Sequence, residues 1–243
     1  MECGTLCSNG CAGARCGRAS QRYAAPAGQF NRILRRAAFA LAALAALWGA
    51  PAAAKTLQIV ALGDSLTAGY GLPGKEDAYP ARLEARLRED GFDVKVTNAG
   101  VSGDTAAGGR ARLGWTLGGT KPDIAIVALG ANDALRGLPP GQMRENLDAI
   151  ITAFRDAGAK VLLAGMMAPP NFGRDYAAEF NAVFPALAEK HDVPLLPFLL
   201  EGVAMQAAMN QDDGIHPNPE GVAIMVDRIA PYVVRLIQEL RRK

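Results

Sequence analysis

The 243-residue chain is half hydrophobic and carries 26 Lys and Arg against 24 Asp and Glu, so it can bury a sizeable core without a large excess of either charge. Taking away Arg15, Arg18, Arg22, Arg32, Arg35, Arg36 and Glu2 leaves residues 55–243 with 20 basic and 23 acidic side chains, a net charge of −3. No basic stripe remains there of the kind a nucleic-acid partner requires, and that class is set aside.

All four cysteines, Cys3, Cys7, Cys11 and Cys16, precede a secretory signature. Their spacing suggests a metal knuckle only if a folded core surrounds them, so residues 1–30 are expected to be an unstructured extension or a misassigned start. The signature covers residues 31–54. Arg32, Arg35 and Arg36 supply a positive region, Ala37 to Ala50 an apolar one, and Ala52, Ala53 and Ala54 a small-residue cleavage pattern. Cleavage is expected just after Ala54, sending residues 55–243 to the periplasm or outside the cell as one domain without disulfides. The apolar run is shorter than the roughly 20 residues of a membrane span; an uncleaved, tethered form is the alternative.

From Leu57 onward short apolar strands alternate with amphipathic helices, the pattern of a parallel sheet covered by helices. A strand is expected over Leu57 to Leu62 and a helix over Ala78 to Asp90, stopped by Gly91. A second strand covers Val94 to Thr97, and a helical stretch around Thr105 to Leu117 leads to a central strand at Ile124 to Leu129. A helix over Gln142 to Ala157, a strand over Lys160 to Ala164, a helix over Asp175 to His191 and a short strand at Pro194 to Leu196 follow. Pro219 to Leu240 closes the chain as a long helix facing the sheet with Val222, Val226, Ile229, Val233 and Leu236, and Pro231 is expected to kink it. These elements make a three-layer α/β/α sandwich of flavodoxin-like shape with five parallel strands, whose ligands bind beyond the strand C-termini.

Polar motifs stand at those ends. Gly63-Asp64-Ser65-Leu66 directly follows the first strand, where Ser65 is well placed to attack a carbonyl once a base is within reach. Of the two histidines, His191 ends a polar helix and reads as a surface or capping residue. His216 lies in the loop Asp212-Asp213-Gly214-Ile215-His216-Pro217-Asn218, which neither a helix face nor a core explains. Asp213, three residues earlier, can accept the imidazole proton, with Asp212 as the rival acid. A helix cap or calcium loop is the alternative for these aspartates. The loops Asn98 to Thr105 and Gly130-Ala131-Asn132-Asp133 offer backbone and carboxamide donors for an oxyanion, or else plain turns with Asp104 and Asp133 as helix caps.

Taken together, these four blocks resemble the SGNH (GDSL) hydrolase family, most nearly its bacterial periplasmic arylesterase, thioesterase and lysophospholipase group. The likeness spans nearly all of Leu57 to Leu240, including Asp133-Ala134-Leu135-Arg136-Gly137 and Asp192 to Phe198. It implies Ser65 as nucleophile, His216 as base and Asp213 as its orienter, with an oxyanion hole made of the Ser65 and Gly103 N–H groups and the Asn132 side chain. It implies no metal and no cofactor.

Serine-dependent hydrolysis of aryl esters, acyl-thioesters or lysophospholipids is therefore expected, with Leu135, Leu138 and Phe172 as substrate-binding residues and Met166 and Met167 as further groove candidates. The missing Gly-x-Ser-x-Gly elbow speaks against an α/β-hydrolase. The expected partner is a small acyl ester or lipid, with transient contact to membrane lipid, in a monomer or small homo-oligomer. Rival readings are a carbohydrate O-deacetylase, a non-catalytic flavodoxin-like binding module, and a metal site at Asp212, Asp213 and His216.

Overall fold

Two apolar runs, β1 (Leu57–Gly63) and β3 (Ile124–Ala128), lie side by side in the middle of a sheet, β3 wholly buried and β1 buried from Ile59 on. Such runs suit parallel strands covered on both faces. The computed structural model describes residues 55–242; the expected extension (1–30) and signal (31–54) lie outside the described residues. The strand order is β2 (Val94–Gly100), β1, β3, β4 (Lys160–Ala164) and β5 (Leu195–Leu196), and every pairing is parallel. From β1 the chain turns to one side for β2 and comes back across β1 to form β3. The loops after β1 and β3 thus flank the switch point at which open α/β sheets leave a crevice.

Eight helices accompany these strands among the described residues: α1 (Ser65–Ala68), α2 (Tyr79–Glu89), α3 (Ala106–Ala111), α4 (Leu113–Gly119), α5 (Ala131–Leu135), α6 (Pro140–Asp156), α7 (Arg174–His191) and α8 (Pro219–Arg241). Helix α2 packs against α8, whereas α6 packs against α3 and α7, giving the two outer layers of the sandwich. All five residues of the expected α8 stripe are buried, each worth about 1.5–3 kcal/mol when fully removed from water. The helix continues as one element past Pro231. Helices α2 and α6 stop alike: Gly91 donates to the Arg88 carbonyl and Phe92 to that of Leu87, as Gly158 does to Arg155 and Ala159 to Phe154.

The structure alters four local expectations. Strand β2 runs to Gly100 rather than Thr97, because Asn98, Ala99 and Gly100 stay in register with Ala61, Leu62 and Gly63. A side chain at Gly100 would collide with the backbone of Thr67 and Ala68, so α1 lies directly on the end of this strand. The expected helical stretch around Thr105 to Leu117 consists of two short helices broken at Arg112, in a segment weakened by Gly108, Gly109 and Gly114. Neither Asp104 nor Asp133 caps its own neighbouring helix. Thr105 caps α3 by accepting from the Gly108 N–H at 3.3 Å, and Asp133 reaches across to accept from the Ala106 N–H at 2.8 Å. His191 is buried, only 7% exposed, rather than a surface residue.

Candidate active site

Ser65 is the first residue of α1, immediately after the C-terminal end of β1. Asp64 makes that turn: its Oδ1 accepts from the Leu66 N–H at 3.0 Å, supplying one of the bonds a helix start lacks. Its other oxygen, Oδ2, accepts from Asn132 Nδ2 at 3.3 Å. Asp64 is completely buried, and burial pushes its carboxyl up to about 6 against the pull of these hydrogen bonds. Tyr79 and Thr67 close the floor beneath it, 3.4 Å apart through their hydroxyls, and burial raises the Tyr79 phenol.

The second loop, after β2, turns tightly. Asp104 donates its N–H to the Val101 carbonyl at 3.1 Å, and Gly103 takes φ +85°, a conformation that side chains other than glycine rarely adopt. Two arginines to which no sequence motif gives a role brace this loop. Arg112 donates from Nε to Asp104 Oδ2 at 2.6 Å and from Nη2 to the Gly63 carbonyl at 2.9 Å, tying it to the turn before Ser65. Arg136 Nη2 donates to the Gly103 carbonyl at 2.9 Å. In the third loop Asn132 Nδ2 donates to the Asp104 carbonyl at 3.0 Å, so all three loops are joined by hydrogen bonds.

The fourth loop carries His216 and is held mainly by its own bonds. Gln211 donates to the His216 carbonyl at 2.8 Å, Gly214 to the Gln211 carbonyl at 2.9 Å, and Asn210 bridges to Pro217. Asp213 Oδ1 accepts from the N–H groups of Ile215 and His216, both at 3.0 Å, while Oδ2 lies 2.6 Å from His216 Nδ1. These bonds, first the one from the imidazole, lower the Asp213 carboxyl to about 2. Being ionised, it is acceptor-only, so Nδ1 carries the hydrogen and Nε2 is left as an acceptor. Nε2 lies 2.9 Å from Ser65 Oγ, across 151 positions of chain. Asp212 takes no part in this line of bonds, and among the described residues no group of three or more His, Cys, Asp and Glu is placed to hold a metal.

A mostly apolar cavity of about 530 Å³ opens beside these groups, with Ser65, Gly103, Asn132 and His216 in its wall. Leu135, Met166 and Met167 line it as well. Leu138 and Phe172, expected to bind substrate, are not among its lining residues. Phe172 packs on Tyr176, ring centroids 5.3 Å apart, and against Gly137, while the Leu138 carbonyl accepts from the Tyr176 hydroxyl at 3.0 Å. In their place stand Tyr70, Met205 and Ile215, all exposed and each on a different loop. No local sequence signal marks them, whereas Asp64 carries one: an acidic residue between a strand and a helix start.

A model of the GDSL-like lipase/acylhydrolase family matches residues 61–224. The chain belongs to this family. An arylesterase of Vibrio mimicus is 41% identical over 178 residues, covering 73% of this chain and 88% of the relative. The thioesterase 1/protease 1/lysophospholipase L1 of Escherichia coli (strain K12) is 41% identical over 186 residues, covering 76% and 86%. The crystal structure of AlinE4, an esterase of the SGNH-hydrolase family, superposes with a TM-score of 0.64 at 45% identity, over 74% of this chain and 96% of that one. Family membership makes the chain a carboxylic ester hydrolase of the SGNH fold.

Proposed function

We propose that Ser65 is the nucleophile of this ester hydrolase, His216 its general base and Asp213 the group that orients the imidazole. The observation that carries this reading is the unbroken line of bonds from Asp213 through His216 to Ser65, at 2.6 and 2.9 Å. Ser65 Oγ attacks the ester carbonyl carbon as its proton passes to His216 Nε2. The carbonyl electron pair moves onto oxygen, where the N–H groups of Ser65 and Gly103 and the Asn132 carboxamide supply donors, each worth about 2.7–4 kcal/mol in such sites. Asn132 already serves Asp104 and Asp64, so it reaches the oxyanion by yielding the longer bond, that to Asp64. Collapse expels the alcohol or thiol, protonated by Nε2. Water then attacks the acyl-enzyme, gives a proton to His216, and Ser65 leaves with that proton.

The substrates are aryl esters, acyl-thioesters or lysophospholipids. Support comes from the apolar cavity beside Ser65, which suits an acyl chain better than a sugar, and from the relatives named above. The Arg-rich start and small-residue end of residues 31–54 support export, with Lys55 as the mature N-terminus. Ser65→Ala is expected to abolish turnover of p-nitrophenyl esters and labelling by a fluorophosphonate while leaving the circular dichroism unchanged. Equal rates in variant and wild type would overturn the assignment, and a strong preference for acetyl over octanoyl esters would move the substrate toward carbohydrate acetyl groups.

A further inference from the structure

Tyr70 is 55% exposed, lines the cavity, and packs its ring on that of His216 with centroids 4.7 Å apart and planes tilted by 41°. Its backbone is fixed from both sides of the site. The Tyr70 N–H donates to the Ser65 carbonyl at 3.1 Å, and its own carbonyl accepts from Gln211 Nε2 at 2.8 Å, the residue whose N–H holds the His216 carbonyl. The ring therefore stands at a set place beside the imidazole.

Resting on the roles assigned to Ser65 and His216, the chemistry says what lies there. Of the substrate's own groups on the tetrahedral carbon, only the leaving atom must touch Nε2, since it takes the proton from that nitrogen; the oxyanion turns toward Asn132 and Gly103. Whatever is bonded to the leaving atom therefore lies next to the imidazole, in the cavity whose wall His216 shares with Tyr70. Aromatic rings pair at centroid separations of roughly 4.5–7 Å, and Tyr70 already stands 4.7 Å from the imidazole that an aryl leaving group must approach. We propose that Tyr70 is the specificity-determining residue for the leaving group, its ring pairing with an aryl alcohol as it departs.

The leaving group is gone once the acyl-enzyme has formed, so Tyr70 acts on acylation and not on deacylation. Phenyl and ethyl esters of the same fatty acid test this, compared as variant-to-wild-type ratios so that their intrinsic reactivities cancel. Tyr70→Ala is expected to lower kcat/KM for the phenyl ester about three- to tenfold and for the ethyl ester by less than about twofold, whereas Tyr70→Phe keeps the aryl preference. In stopped-flow traces the burst should slow and the later steady phase should not. Equal losses on both esters, with burst and steady phase slowed together, would mean that Tyr70 only positions His216 and would overturn the proposal. A loss that depends on acyl-chain length instead of leaving group would place the ring in the acyl groove and overturn it too. Failure of the underlying assignment looks different: Ser65→Ala would then keep turnover of both esters.

Discussion

His191 and His216 are each held by an aspartate at 2.6 Å, yet only His216 faces a hydroxyl. In the first pair Asp148 binds Nε2, so Nδ1 is the free acceptor, and it looks at Arg155 Nη1 3.5 Å away. Lys190 shares the same Asp148 oxygen at 2.7 Å, and the cluster pins the end of α7 to α6. In the second pair the aspartate binds Nδ1 and leaves Nε2 to Ser65 Oγ. The difference teaches that a His–Asp contact is not in itself catalytic. What matters is which ring nitrogen remains and whether it opens onto a cleft or onto packed helices.

The largest expected effect comes from removing the ring that faces the cleft. His216→Ala should lower kcat by about 10⁴-fold or more with little change in melting temperature; near-normal turnover would break the contrast between the histidines. Asp213→Asn should cost about 10²- to 10⁴-fold in kcat, because an amide no longer enforces the tautomer that leaves Nε2 free. Asp213, lowered to about 2, stays ionised at every pH above its ordinary range and loses its hold on the imidazole only as pH falls toward about 2. An acid limb of the kcat/KM profile near neutrality must therefore come from another group, and this is checked by comparing profiles of the Asn variant and the wild type.

Asp64 sharpens the comparison from the opposite side, as a buried carboxyl held by the Leu66 N–H and the Asn132 carboxamide instead of by an imidazole. Its folded value of about 6 lies above the ordinary 3.8, so folding favours the protonated form, and the advantage is lost as pH rises from about 4 to about 6. The amount is about 3 kcal/mol, which Asp64→Asn should remove from the pH dependence of urea unfolding between those two pH values. An unchanged pH dependence would mean that the turn before Ser65 admits water. The smallest effect belongs to His191→Ala, expected to lower unfolding free energy by about 1–3 kcal/mol while ester turnover stays within about twofold. A large loss of turnover in the folded protein would join the two histidines functionally and end the contrast.

Much of this molecule is readable from local pattern. Leu83 and Leu87, the α8 stripe and the run Ile124 to Ala128 appear where a period of 3.6 or an uninterrupted apolar stretch puts them, since burial selects those periods. The end of β2 was hidden because Asn98 and Gly100 lack strand propensity and take their conformation from β1. Local pattern makes His191 look like a surface residue because its burial comes from α6, more than forty residues earlier in the chain.

By itself the sequence determined the alternation of strands and helices, the glycines at forced turns, and the residue types able to carry acyl transfer, because propensity, periodicity and chemical capacity are properties of short segments. Only the tertiary structure decided that Ser65 and His216 meet at 2.9 Å. It also decided that Asp64 and two arginines lock the loops together, and that Tyr70, Met205 and Ile215 border the cleft while Leu138 and Phe172 do not. Those are distances between remote parts of the chain, set by how the sheet orders its strands and where each loop then emerges.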